Sequence, residues 1–440
     1  MAQELAIAEV LLWGRVIGAV SWEEERGLGA FEYARAFQSS GIQIAPLMMP
    51  LTGGVSRFPS LARESFHGLP GMLADCLPDK FGNLLINQWL VREGRAPESF
   101  NPVERLCYLG TRAMGALEFR PALRRGRESS HPLQIDALVR LANEALAQKA
   151  GLASALGEGE QDEEAVRGIL RVGTSAGGAR AKAVIAWNPK TNEVRSGQVD
   201  GPRGFEHWLI KFDGVSGNRD KESTNEAQGY GLIEYAYHRM AVAAGIEMSA
   251  CRLLAEGGRS HFMTRRFDRT DDGRKWHQQS LCALAHYDFN RAGAYSYEQA
   301  MALIEKLALP REALVEQFRR MVFNLVARNQ DDHTKNIAFL MDRKGRWRLS
   351  PAFDVTYSFN PDGAWTGQHQ MSVNGKRDGF ELDDLLAFAK RFHISRSAAR
   401  SVMDEVGRSV AKWMEFADEA GVPESLAGKI RSYQRLALVM

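Results

Sequence analysis

Three polar residues at fixed spacing constrain this chain more than any other feature. Asp331 and Asn336 stand five positions apart, and Asp354 follows eighteen residues beyond the Asn. The stretch reads Asp331-Asp332-His333-Thr334-Lys335-Asn336. A helical stripe of Leu314, Val315, Phe318, Met321, Val322, Leu325 and Val326 runs up to it. Segments 337–340 and 347–350 then read as a hairpin around Asp342-Arg343-Lys344-Gly345 that leads to Asp354. A polar loop gripped between a helix and a hairpin is what catalysis by positioning requires. A carboxylate, an amide and a second carboxylate in this order suit phosphoryl transfer. The first accepts the proton of an attacking hydroxyl, and the other two hold magnesium ions that neutralise the phosphates. On this reading Asp331 is the base, Asn336 and Asp354 are metal ligands, and Lys335 or His333 steadies the transferring phosphate. Asp332 is a rival base, but the spacing to Asn336 favours Asp331. A lone Asp-x4-Asn is more often a solvated turn. The flanking helix, the hairpin and Phe353-Asp354, in the right order, tip the balance here.

A chain of 440 residues with 45% hydrophobic and 25% charged residues has room for several globular domains. Its net charge of +2 supplies no global basic field, so any nucleic-acid contact must come from a local patch. Cys76, Cys107, Cys251 and Cys282 form no CxxC pair, which points to reduced thiols rather than a zinc site or a disulfide framework. The N-terminal stretch is acidic where a secretory signal is basic, and no apolar run reaches membrane-spanning length. A cytoplasmic location is therefore expected.

Along the chain, residues 8–22 read as a hairpin with Gly14 near the turn, and 31–33 and 44–51 as further short strands. Residues 68–92 carry apolar residues at helical spacing. Residues 133–147 suggest a helix, and 151–164 a flexible connector. A β-rich block follows, with strands at 183–187, 207–212 and two within 250–267, and a helix over 226–244. From 297 onward the pattern is mostly helical. The expected fold class is α+β, a bilobal protein-kinase-like fold in which a β-rich lobe precedes a helical lobe, with an extra N-terminal α+β subdomain. The expected domains are 1–130, 131–270 (nucleotide loop and hinge) and 271–440 (helical, with the catalytic loop).

Within the β-rich block the turn Gly173-Thr-Ser-Ala-Gly-Gly-Ala-Arg-Ala-Lys182 is neither a Walker A loop nor a GxGxxG loop. Its small residues still allow backbone N–H groups to approach phosphate oxygens. Lys211 sits mid-strand among apolar residues, either snorkelling to the surface or aimed at ATP phosphates. In the second case Glu234 on the next helix is its counter-charge, with Glu226 as the fallback. The strand 261–268 holds the hinge position, where backbone groups of Arg265 and Phe267 could read an adenine edge.

These pieces together resemble the HipA family, the serine/threonine-protein kinase toxins of bacterial toxin–antitoxin modules. The resemblance is carried by Ser-Ala-Gly-Gly-Ala-x-x-Lys from Ser175, Leu-Ile-Lys-Phe at 209–212 and Arg-Arg-Phe-Asp-Arg at 265–269. The Asp-x-His-x-Lys-Asn loop and Pro-Ala-Phe-Asp-Val at 351–355 belong to it, as does Leu-Pro-Asp-Lys-Phe-Gly-Asn from Leu77. It covers nearly the whole chain. It implies Asp331 as catalytic base, Asn336 and Asp354 as magnesium ligands, and Ala176, Gly177, Gly178, Ala179, Arg180, Ala181 and Lys182 as the ATP-binding loop. It further implies Lys211 as an ATP ligand, hinge contacts at Arg265 and Phe267, and autophosphorylation at Ser175, where an added dianion would repel ATP and disorder the loop. The implied partners are a HipB-like helix-turn-helix antitoxin dimer, operator DNA reached through that complex (hence nucleoid association), and an aminoacyl-tRNA synthetase as substrate, glutamyl-tRNA synthetase first. Arg265 departs from the pattern, where an acidic residue is expected. Lys376 and Arg377 are candidates for DNA contact, although a plain solvated loop is the better explanation. Two other readings stand beside this one: a small-molecule kinase, and a pseudokinase that serves only as a co-repressor.

Overall fold

The computed structural model describes residues 7–121 apart from 79 and 93, residues 181–214 apart from 192 and 197–203, and residues 229–439 apart from 271. Residues 173–180 of the Gly-rich turn, with Ser175, lie outside the described residues, as do the expected helix 133–147, the connector 151–164 and Glu226. The chain divides into two units. The first comprises Met1–Asp220, Leu254–Gln279 and Leu340–Arg346, and the second Lys221–Leu253, Ser280–Phe339 and Trp347–Met440.

The first unit is built on two five-stranded sheets. In the N-terminal sheet, β1 (Ile7–Leu12), β2 (Arg15–Glu23), β3 (Leu28–Tyr33), β4 (Val55–Ser56) and β5 (Leu117–Pro121) lie in the order β4-β3-β2-β1-β5. The expected hairpin is present, turning at Trp13-Gly14 with Leu12 opposite Arg15. Its core includes Val10, Ile17, Val20 and Phe31, none exposed to solvent; burying each contributes about 1.5–3 kcal/mol before entropy is counted. Gly18 on β2 has a steric reason, since a Cβ there would stand 2.3 Å from the Glu32 carbonyl oxygen.

Two expected elements differ. Residues 44–51 form no strand, only an isolated Ala45–Met49 bridge, because Pro46 and Pro50 have no N–H to give to a ladder. The apolar run 68–92 is broken into helices Gly71–Ala74 and Lys80–Arg92. Pro78 disfavours helical backbone at Leu77 before it, and its carbonyl accepts a bond from Asn83 Nδ2 at 2.7 Å.

The second sheet orders β6 (Lys182–Trp187), β7 (Val194–Ser196), β8 (Glu206–Lys211), β9 (Cys251–Glu256) and β10 (Arg259–Arg265) as β7-β6-β8-β10-β9. All six residues of β6 are buried, so its apolar run lacks the alternation of a one-sided strand. The expected strand 261–268 ends at Arg265, leaving Phe267 just beyond it. There Asp268, wholly buried, accepts from Arg266 at 2.7 and 2.9 Å, from Arg269 at 2.8 Å and from the Gly115 N–H at 2.7 Å. Burial alone would raise the Asp268 carboxyl, yet the two guanidinium groups and the Gly115 amide hold it well below the usual range. Gly115 is left-handed, with φ of 78°, which glycine adopts without strain. The segment after β10 is also pinned by Trp13 Nε1 on the Lys275 carbonyl at 2.8 Å and by Gln279 Nε2 on the Ile44 carbonyl at 2.6 Å.

The second unit is mainly helical. Its principal helices are Tyr230–Ala243, Tyr297–Lys306, Arg311–Ala327, Leu382–Arg391, Arg396–Ala411, Trp413–Ala420 and Glu424–Tyr433. The expected stripe on Arg311–Ala327 is buried at Phe318, Met321, Val322, Leu325 and Val326, while Leu314 and Val315 are only half-buried. Tyr237 lies in the same core, its ring 5.1 Å from Trp413 and 6.3 Å from Phe323, with its hydroxyl on the Ala327 carbonyl at 2.6 Å. Ser296 opens its helix with a capping box to Gln299. Among the described residues no helix is long and apolar enough to cross a membrane.

Candidate active site

Helix Arg311–Ala327 stops because Arg328 takes a left-handed conformation, φ 61°, its N–H returning to the Asn324 carbonyl. The Arg328 side chain is fully used there: Nε donates to the Tyr433 carbonyl at 2.8 Å, NH1 to Gln330 Oε1 at 2.9 Å, and the guanidinium lies 4.2 Å from the Phe359 ring centroid. The chain then enters the polar loop. The Gln330 N–H donates to the Ser358 carbonyl and the Ser358 N–H to the Arg328 carbonyl, so the loop is stitched to the segment following Asp354.

The two neighbouring aspartates have opposite environments. Asp332 is 4% exposed and saturated with donors. Tyr297 Oη (2.7 Å) and His369 Nδ1 (2.8 Å) both reach Oδ2, and the Gln370 N–H reaches Oδ1 at 2.8 Å. The directions are determined by the outer partners. Arg435 NH1, which can only donate, is 3.2 Å from His369 Nε2, so that nitrogen accepts and Nδ1 carries the proton. Asn324 Nδ2 donates to Tyr297 Oη at 3.0 Å, so the tyrosine proton goes to Asp332. Burial alone would raise the Asp332 carboxyl, but His369, Tyr297 and the Gln370 amide hold it below the ordinary carboxylate range. Asp331 is only half-buried. Its Oδ1 accepts the Trp365 indole N–H at 2.6 Å, and its main-chain carbonyl accepts Asn336 Nδ2 at 2.8 Å.

Asn336, Asp354, Asp332 and His333 line one small cavity of about 30 Å³ that is also walled by Tyr297 and Asn324. The amide nitrogen of Asn336 is spent on Asp331, which leaves its oxygen as the donor atom for a cation. Asp354 adopts φ of 52°, a left-handed backbone that costs a non-glycine residue about 1–3 kcal/mol and clusters at functional sites. Hard oxygen donors from one amide and one carboxylate suit magnesium, which takes one or two protein ligands and completes its shell with phosphates and water. Among the described residues no group of three or more His, Cys, Asp or Glu could hold a metal ion. Lys335 Nζ lies 5.1 Å from the Phe289 ring centroid, and the His333 ring 5.4 Å from the same phenyl. Glu234 is buried on helix Tyr230–Ala243.

The remaining expected nucleotide-site residues belong to the first unit. Lys182 and Lys211 are direct cross-strand partners on β6 and β8, so both side chains leave the same face of the sheet. Lys211 Nζ is 5.7 Å from the Phe262 ring centroid. Ala181 is buried, and Arg265 and Phe267 are half-buried. Lys376 and Arg377 are engaged within their own unit, Lys376 with Asp384 at 2.7 Å and Arg377 with the His369 carbonyl at 2.6 Å. Sequence reasoning missed Trp365, His369 and Tyr297. No local pattern marks them, because each meets the loop across more than thirty positions.

Comparison with known proteins points one way. The family profile described as HipA N-terminal domain matches residues 8–120, and that described as HipA-like C-terminal domain matches 174–414. The HipA chain in the Shewanella oneidensis MR-1 complex of HipA, HipB and operator DNA is 19% identical. That match covers 98% of this chain and 96% of that one, with a TM-score of 0.66, and shows the shared α+β fold. "Putative kinase Y4mE" of Sinorhizobium fredii is 26% identical over 219 residues, 44% of this chain; the match spans about half (51%) of that relative's length.

Proposed function

The chain belongs to the HipA family, and from that premise we propose that it is an ATP- and magnesium-dependent serine/threonine protein kinase, the toxin of a HipBA-like module. The observation that carries this reading is the contrast between two adjacent aspartates. Asp332 is buried and saturated and lines a cavity together with Asn336 and Asp354, while its neighbour Asp331 presents a half-exposed carboxylate. Asp331 takes the proton of the attacking hydroxyl, within reach of a general base held by its own main chain. Asn336 Oδ1 and Asp354 would hold magnesium, which supplies charge neutralisation on the phosphates. His333 and Lys335 border the position of the transferring phosphate. Lys182, Lys211, Glu234, Arg265 and Phe267 are proposed to serve the nucleotide, as is the loop 176–181. Ser175 is the proposed autophosphorylation site, and 1–130, 131–270 and 271–440 the proposed functional domains.

The HipA chain of Shewanella oneidensis is described in complex with HipB and operator DNA. By analogy we assign this chain a helix-turn-helix antitoxin partner, a co-repressor role on DNA, and a cytoplasmic location that becomes nucleoid-associated in the complex. An aminoacyl-tRNA synthetase, glutamyl-tRNA synthetase first, is the proposed substrate. Incubation with γ-labelled ATP and magnesium tests the reading. The full chain should become labelled at Ser175, EDTA should abolish labelling, and Asp331→Ala should keep only a slow residual labelling rate while still binding nucleotide. Full labelling of Asp331→Ala would overturn it.

A further inference from the structure

We propose that Trp365 is a positioning residue for phosphoryl transfer, its indole N–H holding the Asp331 carboxylate through Oδ1. This inference rests on the reading of Asp331 as the base. The contact is 2.6 Å long, short for an N–H···O bond, as expected when the acceptor is ionised. Indole nitrogen is a donor only, so the bond has a single possible sense. The terminal torsion of an aspartate is broad and roughly two-fold, so a directed bond at one oxygen narrows the orientations the carboxylate samples. The main chain of the same residue is held separately by Asn336 Nδ2 at 2.8 Å. His333 Nε2 stands 3.9 Å from Oδ1, beyond hydrogen-bond range, and cannot take over the task.

The segment that carries Trp365 is itself braced, which argues against a lid that lifts away. Gln330, fully buried, donates to the Thr366 carbonyl at 3.0 Å. Gln370, 3% exposed, sends its Nε2 to the carbonyls of Trp365, Gln330 and Gln368, and its main-chain N–H to Asp332. Lifting this segment off Asp331 would take the Thr366 carbonyl from the buried Gln330 amide and one of three acceptors from the Gln370 amide, an unfavourable change. A tryptophan that merely covered surface would leave its N–H to water. Here the one polar atom of the ring is committed to the one side chain the chemistry needs.

The test compares single-turnover autophosphorylation of the full chain, with labelled ATP and magnesium, in wild type, Trp365→Phe, Asp331→Ala and the double variant. Trp365→Phe keeps an aromatic ring and removes the donor. It should slow the rate at saturating ATP about tenfold, leave the half-saturating ATP concentration within about twofold, and cost nothing further in the Asp331→Ala background. Benzothienylalanine at position 365, which keeps the indole outline without the N–H, should reproduce the slow rate even if Trp365→Phe folds poorly. A wild-type rate with that analogue would reduce Trp365 to packing, and a faster rate would make it a cover over the base; either overturns the proposal. An equal fractional loss with and without Asp331 would also overturn it. If Asp331→Ala itself turns over like wild type, the base assignment falls instead, whatever Trp365 does.

Discussion

Replacing Asp332 by Asn changes one oxygen to an amino group and separates structural from chemical aspartates. At Oδ2 two donors converge, Tyr297 Oη–H and His369 Nδ1–H. The imidazole cannot reverse, because Arg435 donates to its other nitrogen. Whichever way the new amide turns, a buried donor faces a donor. Each such unmade bond costs about 1–3 kcal/mol, and removing one member of a buried charged network costs about 3–5 kcal/mol. We take about 3–5 kcal/mol for the set, a large share of ordinary net stability. At about 2–4 °C per kcal/mol for a unit of this size, the melting transition of the helical unit should fall by roughly 6–20 °C. Asp331→Asn, isosteric and half-exposed, should melt within about 1 kcal/mol of wild type yet lose labelling from ATP. Differential scanning calorimetry and the labelling assay, run on both variants at 15 °C, read the two effects separately. A wild-type melt for Asp332→Asn, or full labelling by Asp331→Asn, would refute the assignment of the two roles.

Other outcomes follow from the same bookkeeping of partners. Asp268→Asn leaves Arg266, buried to 1% side-chain exposure, beside an amide, and should destabilise the first unit by about 3–5 kcal/mol in chemical denaturation. The Asp268 and Asp332 carboxyls are both depressed in the folded state. Their contribution is therefore fully present above the unfolded value of about 3.9 and is lost as pH falls below it. Melting temperature should hold between pH 7 and 5 and drop below pH 4, less steeply in Asp268→Asn. Gly115→Ala places a Cβ 3.0 Å from the Gln278 nitrogen at a φ of 78° and should cost about 1–3 kcal/mol, measured by the same denaturation. Lys211→Met should raise the dissociation constant for ATP at least about tenfold, the equivalent of 1.4 kcal/mol, without moving the melt; unchanged affinity in a fluorescent-nucleotide titration would remove Lys211 from the nucleotide site.

The location of the loop was legible because its determinants are local. A 3.6-residue stripe ends at Ala327, the polar residues come next, and Asn336 bonds back to Asp331 only five positions away. Spacing preferred Asp331 to Asp332 as the base, but the contrast in their burial and partners was hidden. The donors that saturate Asp332 come from Tyr297, His369 and Gln370, separated from it by 35, 37 and 38 positions. Trp365, 34 positions from Asp331, carries no periodic signal at all. The Gly115–Asp268 bond spans 153 positions, and no single-sequence pattern reports a pairing of that range. The misread strand at 44–51 had a local cause that hydrophobicity masked, namely the missing N–H groups of Pro46 and Pro50.

Arg435 donates its main-chain N–H to the Val326 carbonyl at the end of the long helix, and its guanidinium reaches His369 and Asp378. Synthesis on the ribosome runs from the amino end, so residue 435 emerges more than a hundred residues after Asp331 and Asp332. Until it does, the imidazole that orients toward Asp332 lacks the neighbour that sets its tautomer, and the helix lacks that late clasp. A nascent polypeptide of this sequence therefore cannot complete the bonding around its Asp331–Asp332 loop until residue 435 has left the ribosome.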